Sequence, residues 1–333
     1  MELFDVTVVG GGPVGLFAAT MGGLHGMRVK VIESLPYLGG QLYALYPEKP
    51  IYDVAGFPAI PAKDLADALV EQAQRYGTEF VVGQSVERAE QQEDGSFLLE
   101  TAQGVRHRSR TIILAVGIGA FTPRRMPAAG ADLFEGRGLY YFVPGFAHFR
   151  DQRVAVVGGG DTAVDWALEI ARHARQVTVI HRRPEFRAQP DSVRRMREAE
   201  NIIIRTMAEV AEVLGGDRVE RIRLTVNPGG QMEELEVDAV VSGLGYLPNL
   251  GPIREWGLDL EGSTIVVSPA TMETSRPGIF AVGDVASYPG KVKLIATGFG
   301  EVCMAVSRIR GILNPQLKGQ LPHSTSLKQM IKE

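Results

Sequence analysis

One glycine-rich pattern occurs twice along the chain and constrains the fold more than any other feature of the sequence. The first copy reads VTVVGGGPVG at residues 6–15, and the second reads VAVVGGGDTA at residues 154–163, an offset of 148 residues. The same offset relates two further apolar runs, VKVI at residues 29–32 and VTVI at residues 177–180. Each copy therefore predicts a strand, a glycine turn, a helix and a second parallel strand, the βαβ unit of a dinucleotide-binding domain.

The spacing of the glycines indicates where a dinucleotide would bind. In this motif the first glycine makes the turn after the strand, the second lets the backbone approach the pyrophosphate, and the third lets the helix pack on the strand. The candidate residues are Gly10, Gly12 and Gly15 in the first copy and Gly158 and Gly160 in the second, where alanine takes the third position. We expect helices over residues 16–25 and 164–174, with the phosphates at their N-termini.

The end of the second strand differs between the two copies. Glu33, which lies 23 residues after Gly10, ends the strand in the first copy, and a carboxylate there accepts hydrogen bonds from adenosine ribose hydroxyls. In the second copy His181 takes the matching position, followed by the basic residues Arg182, Arg183 and Arg187. Guanidinium groups suit a 2′-phosphate, so the second copy favours NADP over NAD. The alternative is a basic loop that only contacts solvent.

Further apolar segments return to each predicted sheet. Residues 111–119 form an apolar run that ends in glycine, residues 239–249 form its counterpart, and residues 278–284 deliver Asp284 at the end of another such run. These segments predict an α/β fold with two Rossmann-like domains, each built on a parallel sheet. The predicted limits are residues 1–118 and 250–333 for a discontinuous first domain, and residues 119–249 for the second.

Composition excludes several classes of protein. The net charge of −4 argues against a nucleic-acid binder, which would carry a basic excess. No run of 18 apolar residues is present, so we expect no membrane span and a cytoplasmic protein. The single cysteine, Cys303, excludes an intramolecular disulfide, a CxxC redox pair and a cysteine zinc site, and no metal site is predicted.

In their order along the chain, these motifs resemble the pyridine-nucleotide disulfide oxidoreductase superfamily, and within it the thioredoxin-reductase-like branch. Thioredoxin reductases carry a redox CxxC upstream of the second glycine turn, whereas this chain has FVPG at residues 142–145. The resemblance therefore implies electron transfer from a flavin directly to an external acceptor, without a disulfide relay.

Four shorter motifs resemble the ferredoxin–NADP reductases of the thioredoxin-reductase-like type. They are GGQL at residues 39–42, YPEK at residues 46–49, YDVAGFP at residues 52–58 and HSTSL at residues 323–327. The resemblance implies a homodimer that binds FAD in the first domain and NADPH in the second. It also implies that Tyr46 stacks on one face of the flavin ring, and that His323 from the tail of the partner subunit covers the other. The other FAD contacts implied are Glu33, Gln41, Val86, Phe121, Asp284 and Thr325.

The resemblance implies hydride transfer between NADPH and FAD and single-electron transfer between FAD and ferredoxin. No side chain is then required as an acid or base, because the protein supplies position and electrostatics. Two alternatives stay open at this point. The acceptor could be flavodoxin, rubredoxin, a quinone or dioxygen, or the chain could be a flavin-binding sensor without turnover.

Overall fold

The chain forms two compact units, described by a computed structural model over residues 1–119, 122–143, 145–316 and 322–326. The first unit comprises Met1–Phe121 and Pro248–Glu333, and the second comprises Thr122–Leu247. The second unit thus begins three residues later and ends two residues earlier than the limits of 119–249 expected from the sequence.

The strands alternate with helices in the first part of each unit. The strands are β1 (Leu3–Val9), β2 (Val29–Ile32), β3 (Pro50–Ile51), β4 (Ile60–Pro61), β5 (Glu79–Val81), β6 (Val86–Gln91), β7 (Phe97–Thr101), β8 (Arg106–Leu114), β9 (Thr122–Pro123), β10 (Leu139–Tyr140), β11 (Arg153–Val157), β12 (Gln176–His181), β13 (Ile202–Thr206), β14 (Ala208–Gly215), β15 (Val219–Val226), β16 (Gln231–Glu236), β17 (Ala239–Ser242), β18 (Tyr246–Leu247), β19 (Leu260–Glu261), β20 (Thr264–Val266), β21 (Ile279–Ala281) and β22 (Ala286–Ser287). The α-helices are α1 (Pro13–Leu24), α2 (Gln41–Ala44), α3 (Ala62–Gln74), α4 (Asp161–Ala171), α5 (Pro190–Glu198) and α6 (Ile295–Leu313). Short 3₁₀ turns occur at Ala131–Phe134, Phe146–Phe149, Gly251–Glu255, Gly283–Val285 and Ser324–Ser326.

The first unit is built on a seven-stranded sheet. Strands β5, β2, β1, β8 and β21 run parallel in that order, and the antiparallel strands β7 and β6 extend the sheet from the first half of β8. Apolar residues of the central strands, among them Val8, Ile113 and Phe280, are fully buried. Such continuous apolar strands are typical of a parallel sheet covered on both faces.

The second unit contains a five-stranded parallel sheet in the order β10-β17-β11-β12-β13. A separate antiparallel sheet is formed by β14, β15 and β16. The parallel sheets of the two units confirm the predicted α/β class with Rossmann-like cores.

The sequence repeat is also a structural repeat. Val6 pairs with Val29 in the first sheet, and Val154 pairs with Val177 in the second, so the strand register is the same in both copies. Helices α1 and α4 each begin three residues earlier than expected, directly after the glycine turn. The reason is that the turn passes straight into helical backbone, and in α1 the proline at the first helical position favours this start.

A buried polar cluster lies where the parallel strands of the first sheet begin. The Lys30 ammonium is 2.9 Å from Glu79 Oε1 and 3.2 Å from Nδ1 of His107. The other ring nitrogen of His107, Nε2, lies 3.3 Å from Oε1 of Gln84. In the neutral ring with its proton on Nε2, Nδ1 accepts from Lys30 and Nε2–H donates to Gln84, whereas protonation of Nδ1 removes the acceptor for Lys30. Burial, followed by the charge of Lys30, lowers the pKa of His107, while Glu79 opposes this shift.

This cluster predicts a loss of stability as the pH falls. Below pH 6.5, the ordinary pKa of histidine, the unfolded chain binds a proton at His107 that the folded chain resists. The free energy of unfolding should therefore decrease from pH 7 towards pH 5, with His107 contributing up to about 1.4 kcal/mol per pH unit. Urea unfolding at pH 7.5, 6.5 and 5.5 measures the slope. In His107→Gln the slope should be shallower, because this histidine no longer contributes. It should not vanish, because His25 and His181, whose pKa values are also lowered, remain. An identical slope in the variant would contradict this account.

None of the helices in the described part of the chain has the length and apolar character needed to cross a membrane.

Candidate functional site

The glycine loop of the first unit leaves open space at the start of α1. Gly10 has a φ of +106°, and a Cβ there would lie 2.5 Å from the carbonyl oxygen of Ala115. A Cβ on Gly15 would lie 1.9 Å from the carbonyl oxygen of Gly10. Both glycines are thus required by the fold itself. Gly12 is different, because its φ of −75° suits any residue and the nearest atom to a Cβ is Cα of Gly40, at 4.0 Å.

Glu33 lies beside this loop with its carboxylate buried. It accepts hydrogen bonds from the backbone N–H of Gly11 at 2.6 Å, the backbone N–H of Leu35 at 2.8 Å and the hydroxyl of Ser34 at 3.1 Å. A carboxylate has about four acceptor positions, so the oxygens can still accept from a ligand hydroxyl. The carboxylate therefore sits at the end of β2, next to the second residue of the glycine loop, as the ribose-binding role requires.

The other predicted residues of the first site gather around the ends of β8 and β21. A Cβ on Gly117, just after β8, would lie 3.4 Å from Nε2 of Gln41. Asp284 follows β21 in the turn Gly283–Val285, and its carboxylate has no hydrogen-bond partner within the described ranges. Burial, then the charges of Asp284 and Asp53, raise the pKa of Tyr46 to about 12. The charge of Asp284 thus acts on Tyr46, and Tyr46 stays protonated at neutral pH.

Of the four remaining predicted FAD contacts, three lie within the described residues and one does not. Val86 begins β6, and its side chain is buried in the sheet core. His323 and Thr325 are exposed, and neither side chain forms a hydrogen bond to the part of the chain that the structure describes. Phe121 lies outside the described residues.

The FVPG and HSTSL motifs are described only in part. Pro144 and Leu327 lie outside the described residues, as do residues 317–321 before the tail motif. Phe142 is exposed, and its ring lies 5.4 Å from that of Tyr246.

The second unit repeats the open glycine loop. Gly158 has a φ of +149°, and a Cβ there would lie 2.4 Å from the carbonyl oxygen of Gly243. Gly160 precedes α4 with ordinary extended backbone, and a Cβ on it would have no neighbour within 4 Å. No side chain caps the first turn of α1 or α4. Both helices therefore begin with free backbone N–H groups beside a space that a side chain would fill, and this space fits a diphosphate.

Basic residues lie beside the glycine loop of the second unit. A Cβ on Gly159 would lie 2.2 Å from the ring of His181, so His181 occupies the place that Glu33 has in the first unit. The backbone N–H of Arg187 donates to the carbonyl of Gly159 at 2.8 Å, which holds this residue against the glycine loop. Arg182, Arg183 and Arg187 are exposed, and none forms an ion pair with another described residue. Partial burial lowers the pKa of His181, the hydrogen bond to the Glu185 carbonyl opposes this shift, and the charges of the three arginines add to it.

The polar side chains of the two sites suit different ligands. In the first, Glu33 and Asp284 offer acceptors for hydroxyl groups, and Gly12 leaves room for a diphosphate, as FAD requires. In the second, His181 takes the place of the carboxylate, and beside it are three arginines that form no ion pair with a described residue, as the 2′-phosphate of NADPH requires. The residues present therefore fit both dinucleotides.

Sequence reasoning missed one buried charge in the first unit. The Glu301 side chain, 1% exposed on α6, forms an ion pair with Lys291 and accepts a hydrogen bond from the Tyr288 hydroxyl at 2.7 Å. It also accepts the backbone N–H of Gly283 at 2.7 Å. The available signal was that Glu301 is the only acidic residue in an otherwise mainly apolar helix.

The chain is similar to proteins of known family and structure over most of its length. The family model for pyridine nucleotide-disulphide oxidoreductases matches residues 4–305. A Bacillus pumilus protein named ferredoxin–NADP reductase 2 is 48% identical over 326 residues, covering 98% of this chain and 97% of its own. The protein of that name from Oceanobacillus iheyensis is 44% identical, covering 98% of this chain and 99% of its own. A T. acidophilum thioredoxin reductase structure has a TM-score of 0.80 and 25% identity, with 94% of this chain and 99% of that chain covered.

Proposed function

The chain belongs to the pyridine nucleotide-disulphide oxidoreductase family, and we propose that it transfers electrons between NADPH and ferredoxin by way of bound FAD. The observation that carries the proposal is the contrast between two otherwise matching sites. One glycine loop is joined by the carboxylate of Glu33, and the other by His181 and three exposed arginines. One site is thus suited to FAD and the other to NADPH.

In the first unit, the chain holds FAD through its backbone and a few polar side chains. Free N–H groups at the start of α1 bind the diphosphate, and Glu33 accepts from the ribose. Further contacts come from Gln41, Phe121, Asp284 and the backbone of Val86. Tyr46 covers one face of the flavin ring. When bound, FAD supplies a ring that accepts a hydride and releases electrons one at a time.

In the second unit, Gly158 and Gly160 admit the diphosphate of NADPH. Arg182, Arg183 and Arg187 bind its 2′-phosphate, since planar guanidinium groups match phosphate oxygens in charge and geometry. No side chain needs to gain or lose a proton in the hydride transfer, so these residues act by binding and orienting the nucleotide.

Electrons leave this protein without a thiol relay. The chain has one cysteine, so a disulfide cannot form within it. Burial also raises the pKa of the Cys303 thiol, which makes it a poor nucleophile. A one-electron carrier such as ferredoxin therefore takes electrons directly from the flavin.

The proposal is tested by following the flavin in the purified full-length protein. NADPH should bleach the flavin absorbance in a stopped-flow mixer, and reduced protein mixed with oxidised ferredoxin should recover it. Acid should release FAD rather than FMN. Release of FMN, or a flavin that NADPH does not reduce, would overturn the proposal.

The same assay separates the alternatives. A flavin sensor without turnover would fail to reduce ferricyanide steadily with NADPH. The value of kcat/KM for ferredoxin, compared with flavodoxin, rubredoxin, a quinone and dioxygen, ranks the acceptors, and ferredoxin should rank first.

A cytoplasmic location remains a prediction, which fractionation of the source cells would test.

The tail supports a further part of the proposal, that the protein is a homodimer. A terminal segment with exposed polar side chains is normally frayed unless it docks on a surface. His323 and Thr325 are exposed and have no hydrogen bond within the described ranges. We propose that each tail covers the flavin of the partner subunit, with His323 against the ring and Thr325 beside it.

Deletion of residues 316–333 should leave FAD bound but change its absorbance. Reoxidation of the reduced flavin by dioxygen should become several-fold faster, because one face of the ring loses its cover. His323→Ala should give the same changes to a smaller degree, and Ser324→Ala serves as a control. An unchanged flavin spectrum together with unchanged oxygen reactivity would show that the tail is not part of the site.

A further inference from the structure

We propose that Glu301, Lys291 and Tyr288 form a buried brace that positions Gly283 and Asp284 for FAD binding. The inference rests on the proposed FAD site and adds residues to it that do not themselves touch the ligand. They act through Gly283 and are therefore positioning residues.

The carboxylate of Glu301 divides its contacts between two parts of the chain. Oε2 accepts the backbone N–H of Gly283 at 2.7 Å. Oε1 accepts from the Tyr288 hydroxyl at 2.7 Å and forms the ion pair with Lys291. One side chain on α6 therefore fixes both the residue before Asp284 and the loop that leads from Asp284 into α6.

The burial of this brace indicates that its charges depend on one another. The side chains of Lys291 and Glu301 are 7% and 1% exposed, and a lone charge at such a site is strongly unfavourable. Burial, followed by the hydrogen bond to Glu301, raises the pKa of Tyr288 to about 12, so its hydroxyl remains a donor. A shift of the loop from Asp284 to α6 would therefore separate Glu301 from Gly283, Tyr288 and Lys291.

The brace also connects to the glycine loop of the same unit. A Cβ on Gly298 of α6 would lie 2.5 Å from Cγ2 of Val14 in α1, and a Cβ on Gly283 would lie 3.4 Å from the same atom. Val14 lies two residues after Gly12, in the first turn of α1. The placement of Gly283 by Glu301 is thus coupled through Val14 to the start of α1, where the diphosphate would bind.

The test compares two buried lysines of the same unit. Lys291→Met removes the ion pair of the brace. Lys30→Met removes the ion pair between Lys30, whose side chain is 8% exposed, and Glu79. Lys30 lies where the parallel strands begin, at the opposite edge of the sheet from the glycine loop. Both variants should lower the melting temperature of the full-length apoprotein. Only Lys291→Met should raise the dissociation constant for FAD, measured by fluorescence titration, by about ten- to a hundredfold.

Two further variants keep the test decisive if Lys291→Met does not fold. Glu301→Gln keeps the size of the side chain, and Tyr288→Phe removes only one hydroxyl. Tyr288→Phe should raise the dissociation constant for FAD by about three- to tenfold. Equal FAD affinity in wild type, Lys30→Met and whichever brace variants fold would overturn the brace. A wild-type chain that fails to bind FAD would instead overturn the proposed function.

Discussion

Gly12→Ala is expected to remove FAD from the protein while leaving the chain folded. The added methyl group meets no protein atom closer than 4.0 Å, and the backbone at Gly12 suits alanine. Alanine is a poorer N-cap than glycine, so a stability loss of about 1 kcal/mol is expected. The methyl group occupies the space proposed for the diphosphate. Loss of two charge-assisted hydrogen bonds, at about 1.5–3 kcal/mol each, would weaken FAD binding by a factor of about 10²–10⁴.

The same change in the second unit is the matched control. Gly160 also precedes a helix, has ordinary extended backbone and leaves a Cβ without a neighbour within 4 Å. Gly160→Ala should therefore retain FAD and raise KM for NADPH by a similar factor. Gly15→Ala should behave differently from both. Its Cβ would lie 1.9 Å from a backbone oxygen, so this variant should lose about 1–3 kcal/mol or more of folding stability.

Three measurements distinguish these outcomes. Absorbance at flavin wavelengths gives the FAD content, circular dichroism gives the melting temperature of the apoprotein, and steady-state kinetics give KM for NADPH. If Gly12→Ala retains FAD at wild-type affinity, the space beside Gly12 does not hold the diphosphate, and the first site is assigned wrongly.

The fold could be predicted from the sequence wherever local pattern and spacing determine it. The two glycine loops, their flanking strands and the common register follow from motifs of ten residues, because the turn, the helix start and the strand each require particular residue types nearby. The contrast between Glu33 and His181 was equally visible, since it lies at a fixed distance from each loop. The structure places Glu33 against Gly11 and His181 against Gly159, the matching residues of the two loops, as the repeat predicts.

Features that depend on long-range packing could not be predicted. The antiparallel sheet of β14, β15 and β16 is made of strands rich in charged residues, which carry little of the apolar signal that marks a buried strand. The brace at Glu301 joins residues from two segments through side-chain contacts, and no spacing rule relates Glu301 to Gly283 or Lys291. Only the three-dimensional structure brings Glu301 into contact with Gly283 and Lys291.

Replacing Arg182 and Arg183 together with glutamine should reverse the preference for NADPH. Both side chains are exposed and form no ion pair with any other described residue, so the change removes no contact that stabilises the unit. Each charge-assisted contact to the 2′-phosphate contributes about 1.5–3 kcal/mol, so kcat/KM for NADPH should fall by about 10²–10⁴. NADH lacks this phosphate, and its kcat/KM should stay within a few-fold of wild type.

The control is an arginine of the same unit that already has partners. Arg194 on α5 pairs with Asp191 at 2.6 Å and with Glu198 at 3.0 Å, and Arg194→Gln should leave both cofactors unaffected. The pKa of His181 gives a second readout, because the charges of Arg182 and Arg183 help to lower it, and NMR titration should find it higher in the double variant. Suppose instead that the double variant loses NADPH and NADH activity equally, with the pKa of His181 raised as expected. The arginines would then act on the local electrostatics without reading the 2′-phosphate, and the preference for NADPH would have to come from elsewhere in the second unit.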